Sequence, residues 1–439
     1  MYQVGFGDCL LLSFEYGAAL ADGRSERHML FDCGSTHKPW PGFEMTQVTD
    51  LIQQHTGGEL DVLVSTHRHR DHVSGFGGSA TDDAFAAMAP KLVVQAWTEH
   101  PDIDKDAIEP AFGARGASVA QMRADAQAMS QLAERILSWV EGLGADAQSQ
   151  RRYRMLYDLA ADQIPNKAAV DNLKKWSEGG KGHYVHFGSG HEQLEDAVPG
   201  VGFKVIGPPT LKQHPQLRSY ADTSDEYWIA AAREVGATLE PHPPAPSPIS
   251  ERGRNAARAR STASGVRIPI TAMPIVERLR DSNAESLLNI VRRMDNFLNN
   301  TSVILLIQAG NKRLLFGGDA QIENWGYAQT QPVWDELKTV DLYKVGHHGS
   351  RNATPRSLMN LWPVAANASE PRMVALMSTQ QGAHGDDENE SEVPRGPLVD
   401  ALKQRATVFS TEALPQGQLW LEVEADLSAS GPFRLVPPS

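Results

Sequence analysis

The stretch Thr66-His67-Arg68-His69-Arg70-Asp71-His72 constrains this chain more than any other part of it. It follows a mostly apolar run at 60–64 that reads as a buried strand. Three imidazoles and a carboxylate so close together are a donor set delivered by one loop, and such a set suits zinc, manganese or iron(II). Side chains alternate at a strand end, so His67 and His69 face the same way and one ion can take both. Where the chain then turns into a helix, Asp71 and His72 point to a neighbouring position. A second ion fits there, roughly 3.5–4 Å from the first, as in two-metal hydrolases. Arg68 and Arg70 alternate outward and read as solvent-facing charge. Their alternative role is contact with an anionic substrate.

Other segments follow in a fixed order. Val4-Gly5-Phe6-Gly7-Asp8-Cys9 and Met29-Leu30-Phe31-Asp32-Cys33-Gly34 precede the histidine loop, and Leu314-Leu315-Phe316-Gly317-Gly318-Asp319 and Leu342-Tyr343-Lys344-Val345-Gly346-His347-His348-Gly349-Ser350 follow it. With His67-x-His69-x-Asp71-His72 they resemble the signature of the metallo-β-lactamase-fold hydrolases. The His-His-Gly-Ser ending and an Asn-x-x-Ser element, here Asn299 to Ser302, resemble above all the metallo-β-lactamase-like domain of ComEC-type competence proteins. The resemblance touches both ends of the chain, and the segments between carry no part of it. Two departures stand out. ComEC-like domains tend to have aspartate where this chain has His69. The family at large supplies one more histidine from a mid-chain strand, whereas Asn299 stands at that place here. The histidines at 183, 186, 191, 214 and 242 lack metal spacing and read as surface residues.

The resemblance implies an α/β fold, a four-layer αββα sandwich. Two mostly antiparallel sheets would face each other, with helices outside and metals at one edge. It implies two divalent ions, zinc first and manganese second. His67, His69 and a water would hold one ion; Asp71, His72 and His347 would hold the other; Asp319 would bridge them. His347 aligns with the single histidine that precedes an aromatic residue and glycine in related motifs. His348 is then left as a general acid or as a hydrogen-bond partner of a ligand. Asp71 and His348 are thus the expected catalytic groups. Asp32 would support the metal loop from behind, and Asn299, Ser302 and His384 are further candidates for contact with a ligand residue or with substrate. His384 follows a strand at 373–378, as a histidine does in ComEC-like domains, but the acidic run at 386–392 beside it reads as a solvated loop.

The implied chemistry is hydrolysis by a metal-activated hydroxide, on a phosphodiester of nucleic acid or nucleotide. Hydrolysis of a small carbonyl substrate, such as a lactone, thioester or β-lactam, would use the same ions. A non-catalytic scaffold is the third reading, and the full ligand set argues against it. The net charge of −13, from 54 acidic and 41 basic side chains, weakens any case for broad nucleic-acid or membrane-surface binding. It leaves room for a local anionic partner, because bound ions add positive charge.

The two cysteines, Cys9 and Cys33, fall in the candidate opening strands and read as small buried thiols. Low cysteine fits a reducing compartment. The first residues show no basic segment followed by an apolar stretch, and no apolar run approaches the roughly 18 residues of a membrane span. A cytoplasmic location is expected, and no oligomeric state can be read.

A single domain over 1–439 is expected, with two insertions. The first, 100–185, is helical: Met122, Met129, Leu132, Ile136 and Val140 recur at helical spacing, and residues 153–176 are helix-prone up to and beyond Pro165. It reads as a packed helical layer, with a substrate-binding lid as the alternative. The second, 210–297, contains a proline- and arginine-rich loop at 241–264 whose composition suits a mobile linker, and ends in a helix at 270–298. Further strands are expected at 91–97, 202–209, 302–308, 312–316 and 341–345, with closing strands within 406–435.

Overall fold

The computed structural model describes residues 1–103, 108–110, 167–218, 298–352, 354–366, 373–385 and 391–437. The helices expected at 118–143 and 270–297, the loop 241–264 and His242 lie outside them.

Strands with apolar side chains on both faces must be covered on both sides. Such strands form two large sheets here. The first runs β1 (Cys9–Glu15), β2 (Glu26–Cys33), β3 (Val62–Val64), β4 (Leu92–Ala96), β5 (Gly182–Val185), in that spatial order. The second has the order β11-β10-β9-β8-β7-β6, with β6 (Val201–Gly207), β7 (Ile304–Ala309), β8 (Lys312–Phe316), β9 (Leu342–Lys344), β10 (Met373–Met377) and β11 (Ala406–Ser410). A short hairpin, β12 (Glu422–Glu424) with β13 (Arg434–Val436), closes the chain.

The sheets are mixed, not mostly antiparallel as the sequence reading held. Antiparallel pairing is confined to β1–β2, β6–β7 and β7–β8 in the large sheets. All other neighbours are parallel. The reason lies in the connections, since a helical crossover returns the chain to the end of the sheet where it started. Helix α1 (Met45–His55) lies between β2 and β3, and α2 (Arg70–Val73) and α3 (Ser79–Met88) lie between β3 and β4. Helix α4 (Lys167–Trp176) precedes β5, and α5 (Glu192–Ala197) precedes β6. In the second sheet α6 (Ile322–Gln329), α7 (Arg356–Met359) and α8 (Gly396–Lys403) do the same work. Within the span 100–185 read as an insertion, α4 and β5 join the first sheet and its helical cover.

Alternation along the strands sorts the core into layers. Met29, Phe31, Val62, Val64 and Val94 meet Leu305, Ile307, Leu314, Phe316, Val374 and Leu376 between the sheets. The Phe31 and Phe316 rings stack there at 4.3 Å, and truncating either to alanine should cost about 3–5 kcal/mol. The intervening residues Leu30, Leu63 and Val93 pack outward against Val48, Ile52, Phe85 and Leu173 of the first set of helices. Leu306, Leu315, Tyr343 and Ala375 pack against Trp325, Leu358, Leu398 and Leu402 of the second set. Each fully buried aliphatic side chain contributes roughly 1.5–3 kcal/mol.

Strands β3, β8, β9 and β10 end at one edge, where the loops carrying His67 to His72, Asp319, His347 with His348, and His384 begin. The carboxyl ends of parallel strands are where α/β sheets present functional groups. Cys9 and Cys33 lie opposite each other in the β1–β2 register, both buried and free. Among the described residues no helix is long and apolar enough to cross a membrane.

Candidate metal centre

The histidine loop is clamped before it presents any donor atom. Asp32, at the end of β2, accepts hydrogen bonds from the Thr66 main-chain N–H at 2.8 Å and from the Thr66 hydroxyl at 2.7 Å. Its Oδ2 also lies 2.8 Å from His72 Nδ1, so that nitrogen carries the proton and Nε2 turns towards the cluster. Asp32 holds a left-handed φ of 52°, which a short acidic side chain tolerates better than most. Next to it, a Cβ on Gly34 would collide with the Asp71 carbonyl and the His72 nitrogen, so the turn can approach the loop only as glycine.

Asp319 is the hub. Its Oδ2 lies 3.1 Å from His72 Nε2, 3.7 Å from His347 Nε2, 3.9 Å from His348 Nε2 and 4.0 Å from His67 Nε2. The Ser302 hydroxyl accepts the Asp319 main-chain N–H at 3.1 Å, and the His347 N–H is donated to Asp319 Oδ1 at 3.0 Å. Asp71 Oδ2 sits 2.9 Å from His348 Nε2 and 3.9 Å from His72 Nε2. Among the described residues, Asp71, His72, Asp319 and His348 offer four donor atoms within 4.8 Å of one another, all buried. A second group, Asp8, Asp32 and His72, meets the same distance but shares His72 with the first.

Of the two adjacent histidines, His348 belongs to the buried four-donor group, and not His347, the ligand expected from sequence. His348 is fully buried, donates Nδ1–H to the Ser378 carbonyl at 2.9 Å and turns Nε2 into the cluster. His347 keeps 24% of its side chain exposed at the rim, with Nδ1 3.2 Å from Asn352 Oδ1. The physical reason is backbone conformation. Both residues are left-handed, with φ of 45° and 54°, so the side-to-side alternation of a strand end no longer applies. Such conformations cost roughly 1–3 kcal/mol each and concentrate at functional sites. Of the four non-glycine residues with positive φ among those described, Asp32, His347 and His348 are all here, and only Ala89 is elsewhere.

His67 Nε2 and His69 Nδ1 face each other at 3.0 Å, both rings buried. They lie beside Asp319 through His67 but belong to neither four-atom nor three-atom group. Burial, then repulsion from His72 and His69, holds the His67 imidazole well below its ordinary pKa. Burial takes His69 down to about 4. Both rings are therefore neutral at pH 7, the form that ligates metals. Burial also depresses His72, but Asp319, Asp71 and Asp32 outweigh it and raise its pKa. Burial would push the Asp71 and Asp319 carboxyls up, yet the facing imidazoles, His72 first, carry both well below the usual carboxylate range.

This donor chemistry fits a divalent ion. Asp8, Asp32, Asp71 and Asp319 are all buried, and Lys344 pairs with Asp8 at 2.7 Å. The remaining carboxylates face imidazoles, main-chain N–H groups and a hydroxyl. His72 Nε2 lies 3.1 Å from Asp319 Oδ2 and 3.9 Å from Asp71 Oδ2, so an imidazole and two carboxylates converge where a divalent ion would replace a shared proton.

The other expected residues fall nearby. Asn299 is buried one turn before Ser302, and its carbonyl accepts the Ser302 N–H at 3.0 Å. His384 is brought to the site, its ring 4.4 Å from Phe6, which in turn lies 4.4 Å from His348. Burial lowers its pKa to about 4. Arg68 is engaged by Glu99 and so is not solvent-facing, while Arg70 is exposed. His183, His186, His191 and His214 are half-buried and away from the cluster. Sequence reasoning missed Asp8, Lys344 and Ser378. The first two lie inside quoted motifs, but their pairing spans 336 residues and has no local signal.

No family model matches the chain, and no curated protein matches it either.

Proposed function

We propose that the chain is a metal-dependent hydrolase of the metallo-β-lactamase fold, acting on a phosphodiester of nucleotide or nucleic acid. The observation that carries the reading is the buried set Asp71, His72, Asp319 and His348, with the second nitrogen of each histidine anchored to Asp32 or Ser378. Layering supports the fold: one core between two sheets, and a helical cover on each outer face, as in a four-layer αββα sandwich. The choice of phosphodiester rests on the ComEC-like His-His-Gly-Ser and Asn-x-x-Ser elements.

Asp71, His72, Asp319 and His348 would hold one divalent ion, zinc or manganese, and His67 with His69 would hold a second beside Asp319. Ions there supply Lewis acidity and make a bound water far more acidic than bulk water. The protein's own part is orientation. Asp32 fixes the His72 ring and Ser378 fixes the His348 ring, as outer hydrogen-bond partners commonly do for metal-binding imidazoles. His347, neutral because burial lowers its pKa, carries its proton on Nδ1 towards Asn352 and offers Nε2 at the accessible rim. That nitrogen is placed to take a proton from the attacking water. Close packing of Gly34 on the Asp71–His72 main chain and of Gly318 on the Thr66 and Ser302 side chains leaves no room for a side chain at either position. We expect a cytoplasmic location, where Cys9 and Cys33 stay thiols.

Metal analysis of the purified chain, followed by assays with bis-p-nitrophenyl phosphate, DNA, cyclic nucleotides and a lactone, tests the reading. About two transition-metal ions per chain and turnover of a phosphodiester are expected. Fewer than about one ion after reconstitution would remove the dinuclear site. Turnover of the lactone alone would replace phosphodiester chemistry with carbonyl chemistry.

A further inference from the structure

A cavity of about 550 Å³ lies beside the cluster, with Trp40, Thr379, Gln380, Gln381, Glu412 and Gln416 in its wall. None of the cluster's donor residues lines it. The two nevertheless share main chain. Thr379 follows Ser378, whose carbonyl holds His348. Gln380 packs over Gly5, where a Cβ would lie 3.0 Å from its Oε1. Phe6, the next residue, touches His348 and His384 with its ring.

Two polar atoms in this wall lack partners. Thr379 is fully buried, and neither its Oγ1 nor Gln380 Oε1 has a hydrogen-bond partner. Both atoms are closed to solvent, so the groups a ligand would meet are the exposed side chains of Gln381, Glu412 and Gln416 and the half-buried Trp40. The charge of the wall says which part of a ligand it takes. Its lining holds no lysine or arginine and includes a carboxylate, Glu412, whose Oε2 already accepts the Gln381 N–H at 3.2 Å. A phosphate is disfavoured there and belongs at the metal cluster. Glutamine amides offer donors and acceptors in one plane, and Trp40 offers an aromatic face that Phe43 braces edge-on at 5.7 Å. Stacking plus edge hydrogen bonding is how proteins hold an unstacked nucleobase. Among the bases, guanine presents two adjacent N–H donors on one edge, the match for a carboxylate acceptor.

We propose that this cavity binds the base of a nucleotide, guanine foremost, whose phosphodiester lies at the Asp71–His72–Asp319–His348 cluster. The proposal rests on the phosphodiester reading. The test uses the full, metal-loaded chain and separates the two parts. Calorimetry with guanosine, adenosine, cytidine and uridine reads the cavity without any phosphate. Hydrolysis of bis-p-nitrophenyl phosphate reads the cluster without any base. Guanosine is expected to bind best, and Trp40→Ala to weaken it roughly tenfold, the size of a lost aromatic stack. Glu412→Gln, a change at an exposed side chain, should remove the preference for guanosine. Both variants should hydrolyse bis-p-nitrophenyl phosphate as the parent does. Absence of nucleoside binding in a chain that hydrolyses the diester overturns the cavity proposal and leaves the hydrolase reading standing. Guanosine binding without turnover of any phosphodiester overturns the hydrolase reading instead. A Glu412→Gln chain with unchanged base preference overturns the assignment of guanine.

Discussion

Two groups of buried carboxylates in this protein are satisfied in opposite ways. Asp61, at the entrance to β3, takes Arg24 in a two-pronged contact at 2.6 and 3.0 Å, Lys91 at 3.0 Å and the His28 main-chain N–H at 2.9 Å. Its negative charge is fully answered by side chains that are charged at any physiological pH. Asp71, past the far end of β3, and Asp319, past β8 of the second sheet, face imidazoles instead: His72 and His348, whose pKa values the carboxylates raise, and His67, His69 and His347, which burial drives towards neutrality. The first network is complete as it stands and holds the β1–β2 hairpin to β3. The second answers its carboxylates with imidazoles, which give up a proton to a competing cation far more readily than arginine or lysine does. Counting buried charges would not separate the two; the identity of the partners does.

The largest expected effect lies on the incomplete side. Asp319→Ala removes the atom on which four imidazoles converge, so it should abolish turnover. It should also weaken metal binding by more than the roughly 10–100-fold that loss of an outer partner costs. Circular dichroism should stay native, because the side chain belongs to a loop rather than to the inter-sheet core. Asp61→Ala, the matched control, should keep its metal and lose stability. Full metal content in Asp319→Ala would erase the distinction between the two groups.

The adjacent histidines sharpen the contrast inside the site. His348→Ala should lose metal, since its Nε2 is one of the four clustered donor atoms. His347→Ala should retain metal and lose rate by roughly the 10²–10⁴-fold of a removed proton acceptor. Metal titration and turnover, measured on both variants, decide it. Loss of metal from His347→Ala alone would restore the order drawn from motif alignment.

The placement of His348 inside the cluster and His347 at its rim shows where the sequence was legible. His67, His69, Asp71 and His72 could be read because they sit within one short loop after an apolar strand, and Asp319 because it ends another. The strands themselves could be read from their apolar runs, and most of their bounds agree to within a residue or two. Strand direction could not, because an apolar strand buried on both faces looks alike in parallel and antiparallel company. Nor could the order of His347 and His348, which depends on two left-handed residues that no side-chain pattern announces. Asp8 with Lys344, and His348 with Asp71, are contacts across 336 and 277 residues, visible only once both sheets are in place.

The smallest expected effect tests the complete network. Burial alone would raise the Asp61 carboxyl, but the hydrogen bonds from Arg24, the His28 N–H and Lys91 outweigh it and hold its pKa below the ordinary value. A depressed carboxylate contributes stability that is present above its unfolded pKa, about 3.9, and is lost as pH falls through its folded value. Asp61→Asn keeps the size of the side chain and removes the charge, so it should cost about 1–3 kcal/mol at pH 7. The difference between parent and variant should hold steady down to about pH 5 and shrink below about pH 4, as the parent's own carboxyl takes up its proton. Urea unfolding across that range, with and without a chelator, measures it. The difference should be the same in both conditions, because Arg24, His28 and Lys91 contact none of the cluster's donor residues. A penalty that appears only in the metal-loaded protein would mean that the hairpin network and the metal cluster are energetically one unit, and the comparison between them would fail.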